Sequence, residues 1–583
     1  MTRHWVVIET GGNQRYIFES NRMRHVVGAS QLVLDAGTSW VKAAKAGLTG
    51  IEEVQSISGR ALLLAESADE ARQLIRRVSH RALAEAPGLE VTGAIGPPFD
   101  ESLPYRERAT TAESDPATGV SDATGDIDYV TALRRTHKAH ARARADRPSP
   151  LLRDRTLPWH LPCRETGLPA TVLEPFGPTQ DGGSETHPAS ATVAARSTAR
   201  DREETKRRLA RLLGEHTHLE PKIVDDLTSD GWIAVVHADG NAVGRLFHEF
   251  PSLVMKDPAR EGAGRDELSL SDYQHYLAEF SRALDEVTRQ AFTDAVAETV
   301  GGLPREETAG RLLPIVVGGD DVTFACHAAL ALPLTRAFLR RFAKGTRADG
   351  RIARLATALH DQPGTRAGLT AAAGIAIVKR HHPFAAAYTL AEELTTSAKR
   401  AVRVAPDQPV SAYDVHIAHE STLRPLADLR AALMIGSREN PVDRHGGPYV
   451  LDDATWPIPA PLEKRSDTHL RELMRALADG TLSSARAHDL RGALDRGPAE
   501  YRARLTIATA RIRSERARAG EPLAPSDEKA LTGLLQPVGT DGVSGHQFVR
   551  LIDALLLHGI DPARSTTEQT GASGHEPAEA MAR

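Results

Sequence analysis

Residues able to do metal-dependent chemistry are concentrated in two short strings. The first is Gly318-Gly319-Asp320-Asp321, set between the apolar runs Leu313-Pro-Ile-Val-Val317 and Val322-Thr-Phe-Ala-Cys326. That pattern predicts a tight hairpin with two carboxylates at its tip. Glycines allow the sharp turn and let a bulky anion come close to the backbone. Adjacent aspartates repel each other unless a cation lies between them, and a pair of divalent metal ions is the usual answer. Taken alone, the four residues also suit a solvated acidic turn. The second string is Asp239-Gly240-Asn241-Ala242-Val243-Gly244, preceded by Ile233-Ala-Val-Val236. A carboxylate at a strand end, followed by a glycine-rich turn with free backbone N–H groups, suits a metal-bound triphosphate. An ordinary strand-to-helix turn carries the same residues. Both strings in one chain, in this order, favour a metal–nucleotide site.

The elements between them must bring the carboxylates together. Tyr273, Leu277, Phe280, Leu284, Val287 and Ala291 recur at helical spacing, and Leu332 to Phe342 predicts a second helix beyond the hairpin. Leu369 to Val378 predicts a buried strand. The order is strand, helix, two strands joined by the hairpin, helix, strand, which is the split βαβ, ferredoxin-like arrangement. In it the first strand and the hairpin are central neighbours, so Asp239 would lie beside Asp320 and Asp321. A further helix is predicted from Pro383, a favoured first-turn residue, with Phe384, Ala387, Tyr388, Ala391, Leu394 and Ala398 as its buried stripe. Lys399 and Arg400 lie at the edge of that stripe, where a lysine also suits a solvated face.

Taken together, Ala238-Asp-Gly-Asn-Ala-Val-Gly244, Gly318-Gly-Asp-Asp321, Gly374-Ile-Ala-Ile377 and Ala391-Glu-Glu…Ser397-Ala-Lys399 resemble the second palm domain of the large polymerase–cyclase subunit of type III CRISPR effector complexes. The resemblance covers residues 229–420 and implies a synthase that joins ATP into cyclic oligoadenylates, second messengers of antiviral defence. It implies that Asp239, Asp320 and Asp321 are catalytic and hold two Mg²⁺ or Mn²⁺ ions. Backbone amides of Gly240, Asn241, Ala242, Val243 and Gly244, with Gly318 and Gly319, would bind the nucleotide, and Lys399 would place a point charge on the triphosphate. Asn241 stands where related turns often have an acid. A carboxylate that mattered there would make its loss a weaker metal site.

The N-terminal part resembles the same family more loosely. Tyr16-Ile-Phe-Glu-Ser-Asn-Arg-Met-Arg24 and Gly28-Ala-Ser30 are similar to the entry of the family's first palm. The hairpin Ser56-Ile-Ser-Gly-Arg-Ala-Leu-Leu-Leu64 turns at Ser58-Gly59-Arg60 with no acidic pair, so this palm is expected to be catalytically degenerate. Arg60 is read as structural, with a reach toward phosphates as the alternative. The fold class expected is α+β: two ferredoxin-like palm domains, the first degenerate and the second catalytic, with a C-terminal helical domain. The boundaries are 1–150 for the first palm, 151–228 for a middle segment and flexible linker, 229–425 for the second palm, 426–565 for the helical domain and 566–583 for a disordered tail. No N-terminal HD nuclease unit is expected, since the chain opens on a palm-like strand.

Composition sets the outer limits. The chain has 583 residues, enough for several domains, and 41% are hydrophobic, enough for sizeable cores. A formal charge of -5 argues against a protein that grips nucleic acid alone over a broad surface. Local basic runs (Arg134-Arg135…Lys138…Arg142…Arg144, and Lys206-Arg-Arg208) are read as solvated helix faces, with RNA reached through partner subunits. The implied partners are the other subunits of a type III CRISPR complex with its guide and target RNA. Two cysteines, Cys163 and Cys326, make no disulfide framework, and the absence of a signal core or spanning stretch points to the cytoplasm. Zinc needs about four Cys or His ligands. Cys163 has only His160 nearby, so no structural zinc is expected and Cys163 reads as a remnant of the family's zinc insertion. Cys326 is read as a core residue. Glu107 to Asp126 is read as a mobile loop, and Thr179 to Thr205 as a linker or disordered insertion. Two other readings stay open: a standalone palm cyclase making a cyclic mono- or dinucleotide, and a nucleotide-binding scaffold without turnover. Val322 after Asp321, where diguanylate cyclases have phenylalanine, argues against that branch.

Overall fold

The computed structural model describes residues 2–107, 127–147, 157–178, 184–214, 231–260, 266–301, 311–360, 368–406, 408–419, 424–437, 441–453, 457–520 and 531–560, apart from 534, 536, 540–542, 544 and 545. The loop expected at 107–126 and the tail expected at 566–583 lie outside the described residues, apart from Glu107.

Two main sheets carry the fold, the first wholly antiparallel and the second antiparallel apart from one parallel strand pair. The first sheet holds β1 (Thr2–Gly11), β2 (Ile51–Ile57), β3 (Arg60–Ala65) and β4 (Glu90–Asp100) in the order β2-β3-β1-β4. The short β5 (Tyr105–Arg106) comes next, then the hairpin β6 (Ala170–Pro178) and β7 (Ser184–Ser190). The second sheet begins with β8 (Trp232–Gly240). After β9 (Glu267–Leu268), which pairs with β5, it continues through β10 (Leu312–Gly318), β11 (Asp321–His327), β12 (Ala371–Lys379) and β13 (Ala412–Ala418). Its order is β10-β11-β8-β12-β13, with Tyr449–Val450 added at the far edge. The first four strands of each unit, counted along the chain, occupy the same order: second, third, first, fourth. That is the split βαβ order, present twice.

Period-two alternation decides what each face of β8 meets. Ala234, Val236 and Ala238 join the core beneath the helices Leu270–Val300 and Ala328–Ala348. Ile233 and Val235 turn the other way, into a core shared with Val6, Ile8 and Val26 of the first unit. His237 and Asp239 continue that second face, where the strand leaves the core. β11 repeats the pattern: Val322, Phe324 and Cys326 face the helices, while Ala325 faces the first unit and Thr323 and Asp321 lie on the same side.

The two units are packed together through apolar and polar contacts. Phe18 stacks on Tyr388 with ring centroids 3.7 Å apart. Asn21 Oδ1 accepts a hydrogen bond of 2.9 Å from the Phe384 amide and so caps the helix Phe384–Val404. Gln55 donates to Ser281 Oγ at 2.5 Å, and Ser30 donates to the carbonyl of Ile315.

One expectation needs correction. The Ser/Thr/Ala-rich run inside 179–205 is not a linker where it is described: Ser184–Ser190 pairs as β7, and Ala191–Asp201 is a helix. Ser190 caps that helix through the Val193 amide, and Thr192, Val193 and Ala199 are buried, so small residues here serve close packing. Residues 179–183 lie outside the described residues. The C-terminal domain is helical, as expected, with a small sheet added. Helices Asp467–Ala478, Ser484–Asp495, Pro498–Arg518 and Leu551–His558 are joined by a small sheet of Met434–Gly436, Pro441–Asp443 and Gln547–Phe548. Those strands are two or three residues long, too short for an alternating pattern to register. Cys326 is fully buried in the main core, and Cys163 packs with Ala189 and Val193.

Candidate functional site

Asp321 pairs directly with Asp239 in the register between β11 and β8, and Thr323 pairs with His237. Like charges opposite each other in a sheet are destabilising unless compensated. Asp320 joins them from the hairpin turn, and one carboxylate oxygen from each of the three lies within 4.8 Å of the others. The hairpin tip needs its glycines. Gly319 has φ of 61°, a left-handed conformation. A Cβ on Gly240 would lie 2.8 Å from Asp320 Cβ, so the β8 end and the tip are in close approach. Helix Leu270–Val300 braces the turn: Asp285 accepts from the Gly319 amide at 3.2 Å, and Thr288 donates to the Gly319 carbonyl at 2.5 Å.

The three carboxylates open on a cavity of about 750 Å³ between the two units. Gly318, Gly319 and Lys399 line it with them. Lys399 forms an ion pair with Asp239. Burial pushes Asp320 up to about 7, with Asp321 repulsion adding to it, and burial pushes Asp321 up to about 6, with Glu392 adding. Burial lowers the Lys399 ammonium, and the Arg403 charge lowers it further. A divalent cation bound among these carboxylates would relieve that repulsion.

The remaining sequence-nominated residues, Gly240, Asn241, Ala242, Val243 and Gly244, follow Asp239 along the chain without lining this cavity. The Asn241 amide is not free for a phosphate, because it donates to the Thr370 carbonyl at 2.8 Å. Its buried side-chain amide donates to Thr370 Oγ1 at 2.9 Å and the Val410 carbonyl at 3.2 Å. A carboxylate has no proton to give these two oxygens, which explains asparagine here without reference to a metal. Ala242 has φ of 64°, a strained conformation for a residue with a Cβ, at the start of helix Val243–Lys256. Arg60 is not at the cavity and lies 3.5 Å from His137.

Several residues at the cavity escaped the sequence reading. Glu392, Thr395 and Thr396 share one stripe of helix Phe384–Val404 with Lys399, which the sequence had nominated, and helical spacing from Lys399 back through Ala391-Glu392 was the available signal. His237 precedes Asp239 by two on the same strand face, and burial holds its imidazole down at about 4. From the first unit come Thr10, Asn13, Gln14, Arg15, Ser58 and Arg144. Only the packing of the two units brings them here.

Residues 232–404 match the family model of the Cas10/Cmr2 second palm domain. No curated protein matches the chain. Among solved structures, Csm1 of T. onnurineus is 14% identical with a TM-score of 0.44, over 95% of this chain and 69% of that one. A Csm1–Csm4 cassette in complex with pppApApA is 12% identical with a TM-score of 0.43, over 91% and 69%. A Csm1–Csm4 cassette in complex with cA4 is 12% identical with a TM-score of 0.34 over 68% of this chain, which spans only 52% of that one. The strand, hairpin and helix that gather Asp239, Asp320, Asp321 and Lys399 all fall inside the stretch that matches the Cas10/Cmr2 second palm domain.

Proposed function

We propose that this chain is the polymerase–cyclase subunit of a type III CRISPR effector complex and makes cyclic oligoadenylate from ATP. The observation that carries the reading is the convergence of three carboxylates within 4.8 Å, beside Lys399, inside the Cas10/Cmr2 match. The donor set suits a hard divalent cation: three carboxylate oxygens, two on partly buried residues and one on the exposed Asp321, with Lys399 offsetting only one of the charges. Asp239, Asp320 and Asp321 would hold Mg²⁺ or Mn²⁺. Bound there, such ions supply Lewis acidity to an acceptor ribose hydroxyl and to the phosphates.

The chain's own groups do the rest. Lys399 neutralises Asp239 and is within reach of an arriving triphosphate, to which its ammonium can transfer. The unbranched hairpin tip at Gly318 and Gly319 leaves room for the phosphates beside the carboxylates. The acceptor hydroxyl gives up its proton to solvent, its oxygen bonds to the α-phosphorus, the bond from that phosphorus to the bridging oxygen of the β-phosphate breaks, and pyrophosphate departs. Arg15 and Arg144, across the cavity, supply positive charge for a second nucleotide, and the lack of acids at Ser58 leaves one catalytic centre. Partner subunits with guide and target RNA would adjust how the two units pack and so set the rate.

ATP binding to the purified chain, by calorimetry in Mg²⁺ and in EDTA, tests this. Chelation is expected to weaken binding by about a hundredfold or more, since an ATP tetra-anion meets unscreened carboxylates. Equal affinity in the two conditions would contradict the reading.

A further inference from the structure

A second cleft, of about 660 Å³, opens along a different stripe of helix Phe384–Val404, where Ala385, Ala386 and Leu390 face the end of β13 and the C-terminal helices. Its interior is apolar: Leu390, Val415, Ile417, Leu429, Leu433 and Leu556 contribute the walls. Its charged groups are not balanced. Arg424 and Arg491 stand exposed at its edge, and neither has an acidic partner among the described residues. Deeper in, Arg430 donates through Nη2 to Asp414 at 3.1 Å and the Val415 carbonyl at 3.2 Å. Its Nη1 is buried with no partner among the described residues. A buried guanidinium nitrogen without an acceptor is costly, and a ligand oxygen would relieve it.

The nearby acids are already committed. Glu393 accepts from the Leu426 amide at 2.5 Å. Asp553 receives His445 at 3.0 Å, the Gly446 amide at 2.8 Å and the Tyr449 hydroxyl at 2.5 Å. His416 on the wall stays neutral, its imidazole held down at about 3 by burial first and the Arg430 charge second. It offers a flat ring and a hydrogen-bonding nitrogen. The volume falls within the range of about 300–1,000 Å³ typical of small-molecule sites, which are apolar with a few convergent polar groups.

We propose that this cleft is a second small-molecule site, separate from the carboxylate cavity, which takes an organic anion with an apolar or aromatic body. The body lies among Leu390, Leu429 and Leu433, and the phosphate or carboxylate lies at Arg430, Arg424 and Arg491. A nucleoside monophosphate and a medium-chain carboxylate share this chemistry.

Anilinonaphthalene sulfonate, an aryl anion, titrated by fluorescence into the full-length chain without metal, tests the site. One saturable site is expected, unchanged by the Asp320→Ala, Asp321→Ala double change. Removing both rim charges (Arg424→Ala with Arg491→Ala) should weaken it about tenfold. Filling the cleft by Ala386→Trp should abolish it while the melting temperature stays at the wild-type value. Competition by AMP assigns a nucleotide ligand, and competition by dodecanoate assigns a lipid-like one. Probe affinity unmoved by the rim change, or by a folded Ala386→Trp protein, would overturn the proposal.

Discussion

Asp320 and Asp321 retain protons to higher pH than free aspartates because burial and neighbouring carboxylates disfavour their charge. The native state therefore binds more protons than the unfolded chain above the ordinary value of 3.8, and that contribution to stability is lost as pH rises through about 6 to about 7. Asp320→Asn removes one of the opposed charges. Without metal, the variant should melt above wild type on the alkaline side of that window and match it below pH 3.8, while Mn²⁺ should raise its melting temperature less. A wild-type advantage at alkaline pH without metal would contradict the electrostatic account. Asn241 behaves differently. Asn241→Asp should cost about 1–3 kcal/mol, since two buried acceptors lose their donor. It should not tighten Mn²⁺ binding, and a tighter Mn²⁺ isotherm would show that position to be a ligand. The three carboxylates were legible in the sequence because the strand-end and hairpin-tip strings occur in one chain in this order, though each alone also suits an ordinary turn. Asn241's role was not, because its partners Thr370 and Val410 are distant in the chain.

The order of strands and helices in the second unit was legible because each element is long and strongly patterned. The helix Phe384–Val404 follows its predicted stripe, with Phe384, Ala387, Tyr388, Ala391, Leu394 and Ala398 all buried. What pattern could not show is how β13 is tied to the C-terminal helices. Asp414 on β13 and Asp553 on helix Leu551–His558 both hydrogen-bond His445, at 2.7 and 3.0 Å. Burial and Arg430 oppose the imidazolium, yet the two carboxylates hold it up at about 9. A raised histidine stabilises fully below its unfolded value of 6.5, and that contribution is lost as pH rises through about 9. His445→Ala removes the cation shared by two buried carboxylates, Asp414 keeping Arg430 and Asp553 keeping the Tyr449 hydroxyl, and should cost about 3–5 kcal/mol in urea unfolding. The loss should shrink above that pH. A loss under 1 kcal/mol, on the order of a surface pair, would show the network to be exposed in solution.

At the scale of the whole molecule, the carboxylate cavity exists because two units with the same strand order pack face to face. The sequence showed the second unit through its motifs and the first through a weaker likeness. It could not show that Arg15, Ser58 and Arg144 line the opposite wall, because that follows from packing between units. Arg144→Ala should weaken nucleotide binding about tenfold, or about 1.4 kcal/mol, and leave Mn²⁺ binding unchanged. Equal losses of both would place Arg144 in the metal site's own support. The central claim is that Asp239, Asp320 and Asp321 carry out nucleotidyl transfer. Radiolabelled ATP and Mn²⁺ incubated with the chain reconstituted in the proposed type III CRISPR complex, wild type against Asp320→Ala with Asp321→Ala, tests it most directly. Wild-type protein should release pyrophosphate and form phosphatase-resistant cyclic oligoadenylate, while the folded double variant should form none. Product from the double variant at the wild-type rate, or none from the activated wild-type complex, would contradict it.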